Sequence, residues 1–410
     1  MKRLRVHYRG WGENWPLGQL AQNDHEVLFQ YSEEALRIGL ELSPLHLPLR
    51  FDAYGEFPQH LMHLPGLIAD ALPDGWGLLL MDRFFRRQGL EAAAISPLDR
   101  LALLGDRALG ALTFEPMTAL NFEDTGASLL DLAAEITEVY EGKDGEVLKH
   151  LLLVGGSPHG ARPKALIGYC PSRGTVRTVA DKAHLPYLVK FPAQTEHKEV
   201  CAIEHVYCET ARACGIDVPD TQYFDLDRSH AAFGIQRFDL EGDLRVPMHT
   251  LAGLLHADFR VPAVGYSTLL RATQVFTGDQ REVLKAYERA VYNVIFNNRD
   301  DHSKNFAFLL GRDQHWRLAP AYDLTFNAGP RGEHQMDVLG EARRISGTHL
   351  HELAKMGDLP ARAASESLER MLEQIEGFEE RLNNAPVRRA TVRSILGTVR
   401  KNAAALRTDG

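Results

Sequence analysis

Residues 298–305 have the sequence Asn-Arg-Asp-Asp-His-Ser-Lys-Asn, in which Asp300 stands five positions before Asn305. Phosphoryl transfer needs a carboxylate near the acceptor hydroxyl and oxygen ligands for Mg²⁺, and protein kinases present both from one short loop with this spacing. A polar helix end would also explain the residues, because Asn and Asp are common in caps and turns. Taken alone, the loop leaves both interpretations open.

A second segment downstream favours phosphoryl transfer. Residues 306–310 and 316–318 are predicted strands, and Ala321-Tyr322-Asp323 follows them. A kinase carries its second metal-binding aspartate at this point of the chain, so the pattern predicts Asp323 as a metal ligand. An isolated Asp323 would instead be a turn or helix-cap residue.

Residues 155–164 form a glycine-rich loop with the sequence Gly-Gly-Ser-Pro-His-Gly-Ala-Arg-Pro-Lys, predicted to join strands at 151–154 and 165–169. Glycine lets backbone N–H groups approach phosphate oxygens closely, and the loop adds two cations. It matches neither common phosphate-binding motif, and a hairpin turn is the simple alternative.

Lys190 alternates with apolar residues in 187–191, which predicts a strand carrying a phosphate-binding lysine. A helix is predicted over 200–214, and its Glu204 is the candidate ion-pair partner of Lys190. Gln236, Arg237 and Phe238 end a further strand, where a kinase would meet adenine. The alternatives are an exposed lysine, a solvated glutamate and an ordinary strand end.

Composition limits the class of protein. The chain has 410 residues and a formal net charge of −9, which argues against nucleic-acid binding by general electrostatics. Its four cysteines form no CxxC pair, so buried free thiols are expected. The chain shows neither a secretion signal nor eighteen consecutive apolar residues, and a cytoplasmic protein is expected.

The order of elements predicts an α+β, bilobed kinase-like fold. Short extended runs occupy 1–120, strands with the glycine-rich loop and Lys190 occupy 121–245, and a mainly helical region occupies 246–410. These three segments are predicted as an N-terminal α/β subdomain, a kinase N-lobe and a helical C-lobe. In the last, 282–296 has apolar residues at helical spacing.

Several motifs in one order resemble the HipA family of serine/threonine kinases, which are toxins of bacterial toxin–antitoxin pairs. The segments that carry the resemblance are DALPDGWG (70–77), GDRALGALTFEP (105–116), GGSPHGARPKAL (155–166), YLVKFP (187–192), QRFD (236–239), NRDDHSKNF (298–306) and APAYDL (319–324).

The resemblance implies bound ATP and Mg²⁺, with Asp300 as general base and Asn305 and Asp323 as metal ligands. It also implies autophosphorylation of Ser157, which would switch the enzyme off by placing negative charge beside the ATP phosphates. The implied ATP-binding residues are His159, Gly160, Ala161, Arg162, Pro163, Lys164, Lys190, Gln236, Arg237, Phe238, His302, Ser303, Lys304, Asn305, Tyr322 and Asp323.

The family also implies partners. The family's known targets are aminoacyl-tRNA synthetases. Its usual partner is a small helix-turn-helix antitoxin, and any contact with DNA would be made through that antitoxin. The chain departs from the family pattern at Gln236 and Leu240, which flank Arg-Phe-Asp. A small-molecule kinase and a pseudokinase acting through an antitoxin–DNA complex are the alternative functions.

Overall fold

The computed structural model describes residues 1–23, 26–91, 94–118, 126–142, 146–156, 158–178 and 183–407. The chain divides into two compact units. The first contains residues 1–198, 223–249 and 253–256, and the second contains residues 199–222, 250–252 and 257–410. The three segments expected from the sequence stay a prediction.

The N-terminal half of the chain contains both helices and strands. Up to residue 190 they are β1 (Lys2–Tyr8), β2 (Trp15–Gln22), β3 (Val27–Tyr31), α1 (Glu33–Ile38), α2 (Gly66–Ala69), α3 (Gly75–Arg87), α4 (Pro97–Leu104), β4 (Leu112–Glu115), α5 (Leu129–Tyr140), α6 (Glu146–Gly155), β5 (Lys164–Cys170), β6 (Thr175–Arg177) and β7 (Leu185–Lys190).

Helices dominate the C-terminal half. The elements after residue 190 are α7 (Glu199–Ala213), β8 (Thr221–Asp225), β9 (Ala231–Gln236), β10 (Leu240–Glu241), β11 (Leu244–Arg245), β12 (Met248–Thr250), α8 (Leu251–Leu255), α9 (Tyr266–Thr277), α10 (Gln280–Phe296), β13 (Ala307–Leu310), β14 (Trp316–Leu318), α11 (Gly347–Met356), α12 (Ala361–Glu373), α13 (Ile375–Asn384) and α14 (Arg389–Arg407).

Among the described residues, the first unit contains three sheets. Two are larger, with the strand orders β3-β2-β1-β4 and β6-β5-β7-β9-β8, and the third is the two-stranded β10-β11 pair. In β1 the side chains alternate, with Leu4, Val6 and Tyr8 buried and Arg3 and Arg5 exposed, as a strand covered on one face requires. In the second sheet β7 lies between β5 and β9, so Lys190 ends a central strand.

The predicted strand at 151–154 is wrong, because these residues belong to helix α6. The run Leu-Leu-Leu-Val carries no period of its own, and short apolar runs fit a strand or a buried helix equally well. With Leu148 included, the buried positions 148, 151 and 152 follow helical spacing. The glycine-rich loop therefore joins a helix to a strand.

Helix α10 is the centre of the second unit. Its predicted stripe is confirmed at Tyr287, Val291 and Ile295, each fully buried, whereas Leu284 is only half-buried. Because α9, α11, α12 and α14 all pack against α10, burial extends around the helix in its last two turns. The strands predicted at 306–310 and 316–318 correspond to β13 and β14, which form a hairpin in which Phe308 pairs with Leu318.

All four cysteines are buried thiols rather than disulfides, as expected. Within the described ranges, none of the helices combines the length and apolar character that a membrane span requires.

Candidate active site

The segment 298–305 begins where α10 stops. Asn297 adopts a left-handed conformation (φ 58°), and its N–H donates to the Asn293 carbonyl oxygen. The Asn298 amide nitrogen then donates to Asn293 Oδ1 at 3.0 Å. Asn tolerates this backbone conformation better than most residues, so the asparagines do end a helix. The chain that leaves them is the predicted catalytic loop.

Asp301 is the buried hub of this loop, and the sequence did not single it out. Its side chain is fully buried. Oδ2 accepts hydrogen bonds from the Tyr266 hydroxyl at 2.5 Å and His334 Nδ1 at 2.7 Å, and Oδ1 accepts from the Gln335 N–H at 2.8 Å. Burial, together with the Asp301 charge, raises the pKa of Tyr266 well above its ordinary range, which keeps the hydroxyl a donor.

Asp300 has a different environment from its neighbour. Its side chain is 49% exposed, and Oδ1 lies 4.0 Å from His302 Nε2. The Asn305 amide nitrogen donates to the Asp300 carbonyl oxygen at 2.7 Å. Because the amide nitrogen of Asn305 is used in this hydrogen bond, the side-chain oxygen of Asn305 is the atom that can bind a cation. The loop thus holds an accessible carboxylate and an oriented amide oxygen.

The Asp323 segment is tied directly to this loop. The Tyr322 hydroxyl donates to the Lys304 carbonyl oxygen at 2.6 Å. Asp323 has φ +55°, a left-handed conformation that is uncommon outside glycine and that recurs at functional sites. Asn298, Asp301, Asn305 and Tyr322 also line one small cavity. The two segments predicted to hold the metal ligands are therefore neighbours.

A buried arginine supports the backbone that leads to Asp323. Arg289 of α10 donates from Nη2 to the Ala319 carbonyl oxygen, and the Ala321 N–H donates to the Asp217 carbonyl oxygen at 2.8 Å. Burial lowers the pKa of Arg289 to about 10, which still leaves it a cation at neutral pH. Sequence reasoning missed this residue, which belongs to a helix predicted only as core.

In the first unit, two lysines stand directly opposite each other. Lys164 of β5 pairs in register with Lys190 of β7, and the two residues are 2% and 8% exposed. Lys190 Nζ lies 5.8 Å from the ring centroid of Phe233 on β9. Like charges at opposed positions destabilise a sheet. Phosphate oxygens are suitable acceptors for two ammonium groups carried at opposed positions, so this pair fits the predicted role.

The glycine-rich loop has defined partners in the same unit. Lys164 Nζ donates to the His159 carbonyl oxygen, and Arg162 forms a double hydrogen bond with Glu196, including Nη2 to Oε1 at 2.8 Å. Burial alone would raise the pKa of Glu196, but the bonds from Arg162 lower it. Arg162 therefore binds Glu196 through Nε and Nη2. The predicted autophosphorylation residue, Ser157, lies outside the described residues.

At the predicted adenine segment, the Arg237 side chain serves the protein itself. Its Nη2 lies 2.8 Å from Asp239 Oδ2, and the same oxygen accepts the Gly110 N–H at 3.0 Å. Burial alone would lower the pKa of Arg237, but Asp239 raises it. Gln236 and Phe238, half-buried at the end of β9, stay candidates for adenine contacts.

The remaining predicted site residues lie in several different environments. Glu204, on α7 in the second unit, is 2% exposed. The His302 ring lies 5.2 Å from that of Phe259, and Lys304 Nζ lies 4.6 Å from the same ring. Ser303 is buried in a short 3-10 helix, Ser303–Asn305. Within the described residues, His, Cys, Asp and Glu side chains form no group of three or more that could hold a metal ion.

Comparison with known proteins defines the family. A model of the HipA-like C-terminal domain matches residues 156–379, and a model of the HipA N-terminal domain matches residues 9–115. The first match alone spans more than half of the chain. The chain therefore belongs to the HipA family.

Individual relatives follow from the same comparison. A solved complex of HipA, HipB and operator DNA from the Shewanella oneidensis MR-1 toxin–antitoxin system contains a similar chain, with a TM-score of 0.71 and 17% identity. The match covers 98% of this chain and 96% of that one. This likeness confirms the α+β, kinase-like fold.

Two curated proteins are similar in sequence. The "Putative kinase" of Haemophilus influenzae is 28% identical over 155 residues, and "Putative kinase Y4dM" of Sinorhizobium fredii is 27% identical over 151 residues. These matches cover 33% and 34% of this chain. They span 44% and 36% of the relatives, less than half of either length.

Proposed function

We propose that the chain is an ATP- and Mg²⁺-dependent serine/threonine protein kinase and the toxin of a toxin–antitoxin pair. The observation that carries the proposal is the loop 298–305. It presents the accessible carboxylate of Asp300 five residues before the oriented amide of Asn305, while the buried Asp301 holds the loop in place. Membership of the HipA family and the names of the two kinase-like relatives support the same chemistry.

The chain's own residues fit ATP and Mg²⁺. Lys164 and Lys190, opposed and buried, suit phosphate oxygens, and Asn305 and Asp323 offer the oxygen ligands that Mg²⁺ prefers. Mg²⁺ commonly takes one or two protein oxygens and completes its shell with nucleotide phosphates and water. A site without a larger acidic cluster is therefore consistent with this metal. Bound Mg²⁺ would neutralise charge that develops on the transferred phosphoryl group.

In this proposal the oxygen of the acceptor hydroxyl bonds to the γ-phosphorus of ATP. Asp300 accepts the proton that this hydroxyl loses. The bond from that phosphorus to the leaving oxygen of ADP breaks in the same transfer. Lys190 and Lys164 hold phosphate oxygens, and Gln236 and Phe238 contact adenine. Ser157 is proposed as an autophosphorylation site, where two added negative charges would oppose ATP binding.

The biological role is proposed on the family's pattern. The acceptor would be a protein, with an aminoacyl-tRNA synthetase as the candidate target. The partner would be a small helix-turn-helix antitoxin, as in the Shewanella complex of HipA with HipB and operator DNA. DNA would be contacted through that antitoxin.

Quantitative phosphoproteomics tests this function. The wild type and an Asp300→Asn variant would be expressed at equal levels in a bacterial host, and their phosphopeptides compared. We expect a small set of serine or threonine sites that appear only with the wild type. Identical phosphoproteomes together with ADP release on small alcohols would instead indicate a small-molecule kinase. Identical phosphoproteomes without ADP release would indicate a pseudokinase.

A further inference from the structure

The segment 72–77, Leu-Pro-Asp-Gly-Trp-Gly, leads into helix α3 of the first unit. Asp74 occupies the N-cap position of α3, where an aspartate usually accepts an N–H of its own helix. Here the side chain makes no such cap. Oδ1 instead accepts the N–H of Gly160, which is 86 positions away in the glycine-rich loop. The Asp74 side chain therefore binds the glycine-rich loop instead of capping its own helix.

Gly160 is held through both of its backbone polar groups. Its N–H donates to Asp74, and its carbonyl oxygen accepts the Trp76 N–H at 3.1 Å. One residue earlier, His159 Nε2 lies 2.8 Å from the Leu72 carbonyl oxygen. Three alternate residues of the segment, Leu72, Asp74 and Trp76, therefore bind two consecutive residues of the loop.

The two backbones also approach too closely for side chains. Gly75 has φ +39°, and a Cβ added to it would lie 2.6 Å from Ala161 Cα. A Cβ on Gly77 would lie 2.8 Å from the Gly156 carbonyl oxygen. Such an approach requires glycine at both positions. The close contact between the two backbones therefore depends on the absence of side chains at Gly75 and Gly77.

The anchored residue controls the space around a predicted phosphate lysine. Gly160 has φ +104°, and Lys164 Nζ occupies the place that a Cβ on Gly160 would take. The same ammonium donates to the His159 carbonyl oxygen. A shift of residues 159–160 would therefore displace Lys164 Nζ as well.

We propose that Asp74 is a positioning residue for phosphate binding: through Gly160 it holds residues 158–161 in the conformation that places Lys164 for ATP. The inference rests on the proposed kinase function. It gives the N-terminal region, to which the family's N-terminal domain model is matched, a direct part in nucleotide affinity.

The test compares Asp74→Ala with the conservative Asp74→Asn in the full chain. Asn keeps a carbonyl oxygen that can accept the Gly160 N–H, whereas Ala removes the acceptor. Asp82→Ala is the matched control, because it also removes a carboxylate of α3. Asp82 forms an ion pair with Arg100 at 2.6 Å, and that pair does not involve the glycine-rich loop. The readouts are KM and kcat with Mg-ATP, and amide hydrogen exchange at Gly160 without nucleotide.

For Asp74→Ala we expect KM for ATP to rise by about five- to thirty-fold, as the loss of one part-buried hydrogen bond to a charged group would produce. We expect kcat to change by less than about two-fold, and Gly160 to exchange faster. Asp74→Asn and Asp82→Ala should resemble the wild type in KM and in exchange.

Two results would overturn the inference. One is an unchanged KM and an unchanged Gly160 exchange in Asp74→Ala. The other is an equal rise in KM for Asp82→Ala, which would indicate general loosening of α3. A wild type that binds no Mg-ATP by calorimetry would instead overturn the proposed function, and exchange at Gly160 would still decide whether Asp74 anchors the loop.

Discussion

Asp300 and Asp301 are adjacent in sequence and opposite in environment. Asp300 is about half exposed, whereas Asp301 is sealed inside the second unit and accepts hydrogen bonds from Tyr266 and from 334–336. A buried carboxylate with several donors fixes the backbone around it, since each donor would be costly to leave unpaired. Asp301 therefore fixes the backbone of the loop, while the neighbouring Asp300 side chain stays accessible.

This contrast predicts different outcomes for two matched substitutions. Asp301→Asn should lower the free energy of unfolding by about 2–4 kcal/mol, because an uncharged amide cannot accept the same set of hydrogen bonds. Asp300→Asn, at a half-exposed position, should change it by less than about 0.5 kcal/mol. Urea unfolding followed by far-UV circular dichroism measures both. Equal stability of the two variants would show that Asp301 is not the hub.

Sequence reasoning found Asp300 but not its support, and the reason is physical. The spacing of Asp300 and Asn305 is local, and a local pattern can be recognised in the chain. The bonds from Asp301 to Tyr266 and His334 join residues 35 and 33 positions apart. Nothing in the neighbourhood of His334 marks it as a partner, so only the folded chain reveals it.

Among the elements, α7 and α14 are joined by one carboxylate. Glu199, at the start of α7, is buried and accepts hydrogen bonds from the Arg388 backbone N–H at 2.8 Å and from Thr391 Oγ1 at 2.9 Å. Arg388 Nε adds a bond at 2.9 Å. Burial alone would raise the pKa of Glu199, but these donors lower it below its ordinary value of 4.5. The last helix is thus attached through an ionised glutamate.

The attachment should depend on pH. A carboxylate whose pKa is lower in the folded state contributes stability above its unfolded pKa and loses it as the pH falls through the folded pKa. Glu199→Gln should therefore melt at a lower temperature than the wild type at pH 7, and the gap should narrow below about pH 4.5. Thermal unfolding of both proteins between pH 3 and 7 measures this. A gap that stays constant over this range would contradict the linkage.

Elements were predictable where the pattern was long or strictly alternating. Helix α10 has 17 residues with a clear helical period, and the β13–β14 hairpin has two strands joined by a short turn. The helix at 151–154 was mistaken for a strand because four apolar residues carry no period. Strand β2 was missed since its sequence, WPLGQLAQ, contains Pro and Gly, which usually mark a break rather than a strand.

For the molecule as a whole, the motifs of the HipA family occur in both units. DALPDGWG and GDRALGALTFEP lie in the first unit and contact the glycine-rich loop and Asp239, while the loop 298–305 and Asp323 lie in the second. The order of these motifs indicated the family before any contact was known. The contacts among them depend on long-range folding, and the sequence did not predict them.

Transfer of a labelled γ-phosphate tests most directly whether Asp300 and Asp323 carry out phosphoryl transfer. Purified wild type, Asp300→Asn and Asp323→Asn would each be incubated with Mg²⁺ and γ-labelled ATP, and protein-bound label would be measured after confirming by circular dichroism that all three are folded. We expect label on the wild-type chain and its loss in both variants. Undiminished labelling of both variants would contradict the proposed active site.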